Sequence, residues 1–507
     1  MTGNNGKKRC ARAGLILLLC AALMLAAGAG AFAADIPAQQ SISADEVYGY
    51  AFSDETAALA DADLTDGEQA LVSMLVTAIW NGETHIEFNG SDYGVEYAKL
   101  SKLTRRLFME PETFALKTVS WGYVGSVDNL YVDPVYYGDM YADYDAAKAL
   151  YTDGVNAIAA LVDDDMSDPE KALFVNDYLA LNFEYDTTYT NYDAYSFFRD
   201  KKGVCQAYTR VYEAVMRLVG VETSYIESQS MNHSWNIVKI DGKWYHVDVT
   251  WNDPITTSVG CATHEYLLLS TDKMIAIGHV QEDDWMFGEN AVCDDTTYDE
   301  FFWRESRSPF VYAEGSWYFI NETGINMWDG VSGEPVVLQP FDDIYAELYP
   351  GYTFPGYCVN SGLFYYRGKL YFNSVFDVFE YDLTEDTVES LVSVLFDGTN
   401  LIGCVKDGNN LVYQESNGTL HYLDISPYTE VSGGGYGYMI SGGELWLELN
   451  DGAFVVAAWY DDNGKMLGCT LIDTAGEHSV EMAGSSLKLI SLNASLMPRC
   501  AAVTING

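Results

Sequence analysis

Apolar residues recur every three or four positions over 67–80, and again near 97–109, 143–162 and 167–179, which predicts four amphipathic helices. Ser167-Asp168-Pro169-Glu170 opens the last of these with a capping box and a proline inside the first turn. A further helical run starts at Cys205, carries Tyr208, Val211, Tyr212, Val215, Leu218 and Val219, and stops at Gly220. The pattern then changes to strand-type runs at 233–240 and 243–251, and Asp241-Gly242 between them is a strong two-residue hairpin signal. Shorter strands are expected near 86–88, from Pro111 to Val135, and at 265–269. Two helices before the Cys205 helix, followed by antiparallel strands, make an α+β core with segregated elements.

Beyond about residue 305 the pattern is short strands and turns. Gly315-Ser316-Trp317-Tyr318-Phe319 and Gly368-Lys369-Leu370-Tyr371-Phe372 repeat at a spacing of 53, and Gly408-Asn409-Asn410-Leu411-Val412-Tyr413 follows 40 residues later. These resemble propeller-type blades, but three are too few to close a ring, so an irregular β-repeat domain is expected over 305–440. Phe454 to Tyr460, a turn at 461–465 and more alternation predict a small β-sandwich over 441–507. The core would then occupy 61–304, including an N-terminal extension, with 34–60 as a linker rich in Ala, Ser, Asp and Glu.

Chemistry concentrates between Gly203 and Trp251. Cys205 sits in the first helical turn, where amides and the helix dipole favour thiolate and could hold an oxyanion. With Asp241-Gly242 as the turn, Ile240 pairs with Lys243, Trp235 with Asp248 and His233 with Thr250. His233 and Asp248 then project from one face as diagonal neighbours, a gap that an imidazole and a carboxylate can close. Cys205 is therefore the expected nucleophile, His233 the general base and acid, and Asp248 the group that orients His233 and stabilises its cation. His246, opposite Ile237, is the rival base, read as a half-exposed strand residue. Gln206, Tyr185 and Trp235 are the candidate oxyanion or substrate groups, and His279 is expected to be structural.

The stretch from Gly203 to Tyr208, the His233-Ser234-Trp235-Asn236 segment and the run from Asp241 to Trp251 resemble the core of bacterial transglutaminase-like proteins. Asp177-Tyr178-Leu179 with Tyr185-Asp186 resembles the approach to that family's cysteine. The resemblance implies a papain-like fold and places the family's Cys-His-Asp triad on Cys205, His233 and Asp248. It extends more weakly over about 66–300. It permits both amide hydrolysis and transfer to an amine. Hydrolysis, as a cysteine peptidase or amidase on protein or peptide substrate, is the expectation, since no calcium signature suggests a regulated crosslinker. The alternative is an inert transglutaminase-like scaffold in a cell-surface adhesion or carbohydrate-binding protein.

Residues 1–33 read as a secretory signal: Lys7, Lys8, Arg9 and Arg12, an apolar run from Leu15 to Ala27, then Ala31-Phe32-Ala33. Its removal takes away four basic residues and no acid, moving the net charge from −47 to −51. Such a surface repels nucleic acid and anionic membranes. A secreted, extracellular protein that spans no membrane is expected, with a cell-wall or glycan ligand open to the C-terminal β modules. Asp163-Asp164-Asp165 lacks calcium-loop spacing, and Cys261 with His264 gives too few ligands, so no metal or cofactor is expected. Seven cysteines would remain, an odd count that one reactive thiol and up to three bridges would fit, although their spacing shows no disulfide framework.

Overall fold

The computed structural model describes residues 40–43 and 64–506, apart from 138–142, 254–257, 281–284, 288–290, 331–332, 355, 359, 427–428, 442–443, 451, 482–483 and 494–496. The expected signal segment, 1–33, lies outside these residues, as does most of 34–60. Within that last stretch Gln40–Ser43 forms a strand, β1. The chain makes two compact units: one of residues to Leu161 with Tyr185–Asp248 and Leu269–Asp295, the other of Val162–Glu184, Val249–Leu268 and Thr296 onward.

In the first unit, Thr65 caps helix α1 (Asp66–Trp80), reciprocally with Glu68, and Leu71, Val72, Leu75, Ala78 and Ile79 bury its apolar face. Strands β2 (Ile86–Asn89), β3 (Leu116–Val124) and β4 (Ser126–Tyr136) join β1 in an antiparallel sheet of order β1-β3-β4-β2. The helix expected over 97–109 is broken: α2 covers only Leu100–Arg106, between single 3-10 turns at Tyr97–Lys99 and Leu107–Met109. Pro111 disfavours helical backbone at the residue before it, and Thr113 satisfies the freed Leu107 carbonyl with a 2.5 Å bond. Helix α3 (Tyr144–Ala159) is capped by Asp143, which accepts from the Ala146 amide at 3.0 Å. It packs on α4 (Ala194–Asp200) and on α5 (Cys205–Leu218). Neither α4 nor strand β5 (Thr223–Ser228) was visible in the apolar pattern.

Helix α5 is buried on more than its apolar stripe, since Thr209, Arg210 and Glu213 are covered too. Arg210 is fully buried and donates to the carbonyls of Phe108, at 2.5 and 3.2 Å, and Thr113, at 3.1 Å. Those carbonyls belong to the loop after α2, so a buried cation replaces the hydrogen bonds that the broken helix cannot supply. Strands β6 (His233–Ile240) and β7 (Lys243–Val247) form the expected hairpin, with Asp241 at φ 51° and Gly242 at φ 80°. Their register is Ile240 with Lys243, Val238 with Tyr245, Ile237 with His246 and Asn236 with Val247. The expected pairings of Trp235 with Asp248 and of His233 with Thr250 do not form, because β7 ends at Val247 and Val249–Asn252 turns into a short helix. Helix α6 (Thr271–Ile277) and strand β8 (Trp285–Phe287) complete the unit, and the strands run in the order β7-β6-β5-β8.

The second unit contains the Asp168–Asn182 helix with its capping box at Ser167 and Glu170. Its Asp177 accepts from the Phe310 amide at 2.7 Å and bonds His264 at 2.8 Å, and Glu170 accepts from the Trp317 indole at 2.7 Å. The expected strand at 265–269 forms over Leu267–Leu269. Three antiparallel meanders follow, spanning residues 311–340, 363–393 and 401–424. Gly315, Gly368 and Gly408 all adopt positive φ at their hairpin turns, as the repeated turn requires. One apolar cluster joins the first two meanders through Ile320, Ile325, Leu370 and Phe372, and another joins the last two through Tyr371, Val378, Cys404 and Leu411. From residue 429 two four-stranded sheets share a core of Leu445, Leu447, Val455, Ala457, Leu487 and Leu489. All seven cysteines among the described residues are free thiols, in keeping with a spacing that shows no disulfide framework. Among the described residues no helix is long and apolar enough to cross a membrane.

Candidate active site

Cys205 begins α5 because the backbone before it is held extended from outside the helix. Asp186 accepts the amides of Thr188, Thr190 and Asn191, each at 2.9 Å, folding that loop into a tight knot. The loop then grips the approach strand: the Asp186 amide donates to Gly203 and the Val204 amide to Asn191. Gly203 leaves no room for a side chain, since a Cβ there would meet Phe197 at 2.7 Å and Ala207 at 2.8 Å. Val204 stands at the N-cap with ψ 176° and contributes no side-chain cap. The first-turn amides of α5 therefore face no capping side chain from Val204, the condition for an anion at this end of the helix.

Helix and hairpin are tied together one turn further on. Thr209 bonds back to the Cys205 carbonyl at 2.8 Å and meets the Ser234 hydroxyl at 3.2 Å, while Asn236 donates to the Thr209 carbonyl at 3.1 Å. These contacts fix β6 against α5 and bring the Cys205 thiol beside His233 and Ser234, close enough for both to act on its charge. His233 Nε2 lies 2.6 Å from Asp248 Oδ2. The structure thus brings the three expected residues together, even though Asp248 stands just past the end of β7. Cys205 is 7 % exposed and Asp248 0 %.

The electrostatics follow from this burial and pairing. Burial opposes charge on Cys205, but the hydrogen bond and charge of His233 outweigh it, and with Ser234 they hold the thiol below its ordinary pKa. Burial likewise opposes the His233 cation, but the charge and hydrogen bond of Asp248 raise that imidazole well above its usual range. Asp248 is desolvated too, yet His233 and then His279 keep it ionised far below the ordinary carboxylate range. The arrangement favours a thiolate and an imidazolium over two neutral groups.

The remaining candidates fall into different places. Trp235 is buried and stacks on His233 with ring centroids 5.7 Å apart, so it supports the imidazole instead of facing a substrate. Gln206 is buried, and its Oε1 has no hydrogen-bond partner. Tyr185 is half-buried with its ring edge-on to Tyr189. His246 is fully buried, not half-exposed as expected. Its Nδ1 accepts the Trp235 indole proton at 3.1 Å, and its Nε2 lies 3.0 Å from the Thr271 hydroxyl. An indole nitrogen can only donate, so His246 Nδ1 carries no proton and is already occupied. Burial, reinforced by His279, pushes its pKa down to about 3, which removes it as a rival base.

His279, expected to be structural, lies 3.1 Å through Nε2 from the same Asp248 Oδ2. It stands 31 residues beyond Asp248, with no local pattern to mark it, although its place directly after the helix-stopping Gly278 is a usable signal. One ligand atom from each of His233, Asp248 and His279 lies within 4.8 Å of the others, a spacing that could hold a metal ion. Protons account for the same contacts, because an ionised carboxylate only accepts and each Nε2 can donate to it.

Residues 156–249 match the transglutaminase-like superfamily. That segment is a transglutaminase-like core. Among solved structures the chain is similar to a TGase, at 16% identity over 24% of this chain and 41% of that chain, with a TM-score of 0.18. It is also similar to a Cytophaga hutchinsonii protein named as a candidate cysteine protease, at 18% identity over 26% of this chain and 50% of that one, TM-score 0.17. A third is the extracellular domain of BT4673 from B. thetaiotaomicron, named as a candidate one-component system, at 11% identity over 54% and 42%, TM-score 0.21. The matches cover half or less of each of those chains. No curated protein matches this chain. The transglutaminase-like segment contains Cys205, His233 and Asp248, whereas His279 lies beyond its end.

Proposed function

We propose that this chain is a secreted thiol enzyme that transfers acyl groups from protein or peptide amides to water. The observation that carries this reading is the buried contact chain from Cys205 through His233 to Asp248 Oδ2, with the cysteine at the start of α5. The Cys205 thiolate attacks the amide carbonyl carbon, and first-turn amides of α5 receive the developing oxyanion. With Nε2 engaged by Asp248, His233 Nδ1 carries the proton that goes to the departing nitrogen as the C–N bond breaks. The product is a thioester on Cys205 and a free amine. Water then gives a proton to His233 and attacks the thioester, the C–S bond breaks, and the thiolate returns with a carboxylic acid released.

In this reading the core is papain-like, the three meanders are propeller-type blades, and the C-terminal modules present a glycan or cell-wall ligand surface. Nothing in the acid and base roles separates water from an amine as the second acceptor. Hydrolysis is favoured where water reaches the thioester. The test is product analysis by mass spectrometry, with glutamine-containing peptides and a primary amine present together. Glutamate formation or backbone cleavage in excess of amine incorporation supports the proposal. Amine incorporation without hydrolysis replaces it with a transamidase, and products equal to those of Cys205→Ala replace it with an inert scaffold.

A further inference from the structure

We infer that His279 is a second positioning residue for the acid of this site, acting through Asp248 without touching substrate; this rests on the thiol-enzyme reading above. The geometry is specific. Nε2 of His279 and Nε2 of His233 converge on one oxygen, Asp248 Oδ2, at 3.1 and 2.6 Å. Because the ionised carboxylate can only accept, both nitrogens carry hydrogen, which sets the His279 tautomer as Nε2–H when the ring is neutral. Burial favours that neutral form. One imidazole, His233, therefore takes the positive charge, and the other supplies a fixed neutral donor.

The backbone places His279 with little freedom. Helix α6 ends at Gly278, φ 142°, a conformation that a side chain would strain, and the His279 amide closes onto the Met274 carbonyl at 3.1 Å. The ring then packs edge-on against Trp235, with centroids 4.9 Å apart, and against Trp285, at 6.4 Å. Trp235 in turn stacks on His233 and donates to His246. The titratable groups facing His279 are Asp248, His233 and His246. A donor held this rigidly stops the Asp248 carboxylate from rotating about its side-chain bond. Oδ2 then stays in line with His233 while the imidazole gains and loses its proton. The second partner also explains why Asp248 can sit just beyond the end of β7 and still be fixed.

The test compares three variants of the full chain, each first checked for native circular dichroism. His279→Gln can place an amide N–H where Nε2–H was. His279→Asn is too short to reach Oδ2, and His279→Phe keeps the ring packing but has no donor. The expected result is near wild-type kcat/KM for the Gln variant and a loss of about 10- to 100-fold, mostly in kcat, for each of the Asn and Phe variants that folds. In the losing variants the pH at which Cys205 reaches half its maximal rate of iodoacetamide alkylation rises by about one unit. Wild-type rates and profiles in the folded Asn or Phe variant overturn the inference, as does a Gln variant that falls as far as they do. So does a stoichiometric transition metal in the purified wild type, which would assign the three groups to an ion. If wild type itself shows neither turnover nor facile alkylation of Cys205, the thiol-enzyme reading has failed, a result distinct from failure of the His279 role alone.

Discussion

Replacing Cys205 with alanine is expected to lower turnover of a peptide or glutamine amide by at least about 10⁴-fold and to leave the protein folded. The loss is large because in the proposed reaction the sulfur forms the covalent intermediate, and no described neighbour can replace it. His233 is bound to Asp248, Ser234 and Thr209 share a hydrogen bond, and His246 is held by Trp235 and Thr271. Folding survives because alanine keeps the first helical position and removes a small, nearly buried group. The measurement pairs steady-state turnover with thermal unfolding of the same preparation. Retained turnover would mean that the chemistry lies elsewhere in the chain.

Asp248→Asn separates the charge of the acid from its shape. An amide oxygen can sit where Oδ2 sits and keep both hydrogen bonds, from His233 and from His279. It cannot supply the negative charge that raises the His233 pKa against its burial. The imidazolium loses its counter-ion, and the thiolate loses the cation that stabilises it. A flipped amide does worse, because its NH₂ would meet Nε2 and drive the ring proton to Nδ1, the atom that must exchange it with sulfur. The expected result is a fall in kcat/KM of about 10³-fold or more, with the thiolate limb of the pH profile displaced to higher pH. The sign follows from the wild-type shifts: Cys205 is held low by His233, so weakening His233 moves the thiol back up. An unchanged profile would show that Asp248 does not tune His233.

The core of this site was legible because its signals are local. Asp241-Gly242 requires two consecutive residues at positive φ, few residue pairs do this readily, and the observed register follows from that turn. Given the register, His233 and Asp248 had to approach each other from one side of the sheet. The pairing failed only at its far end, where Val249–Asn252 leaves the strand for a helix. What stayed hidden is non-local. Burial of Arg210 on α5 depends on the carbonyls of Phe108 and Thr113, and that of Thr209 on Ser234 of β6, which no periodicity within 205–218 announces. His246 reads as half-exposed because an alternating strand implies one solvent face, whereas α6 and β8 supply the Thr271 and Trp285 that cover it. From the sequence His279 reads as structural, because a single histidine at a helix end has no motif of its own. Its meaning comes from meeting Asp248 across 31 residues.

The rate of Cys205 alkylation by iodoacetamide against pH reports whether Cys205 and His233 form a coupled thiolate and imidazolium. Peptide mass mapping identifies the modified cysteine, in wild type and in His233→Ala. Rapid alkylation of Cys205 below about pH 7 is expected in wild type, with loss of that low-pH reactivity when His233 is removed. A Cys205 that titrates like an ordinary thiol at about 8.5, or reacts only after unfolding, with His233→Ala making no difference, would show that the two groups are not coupled.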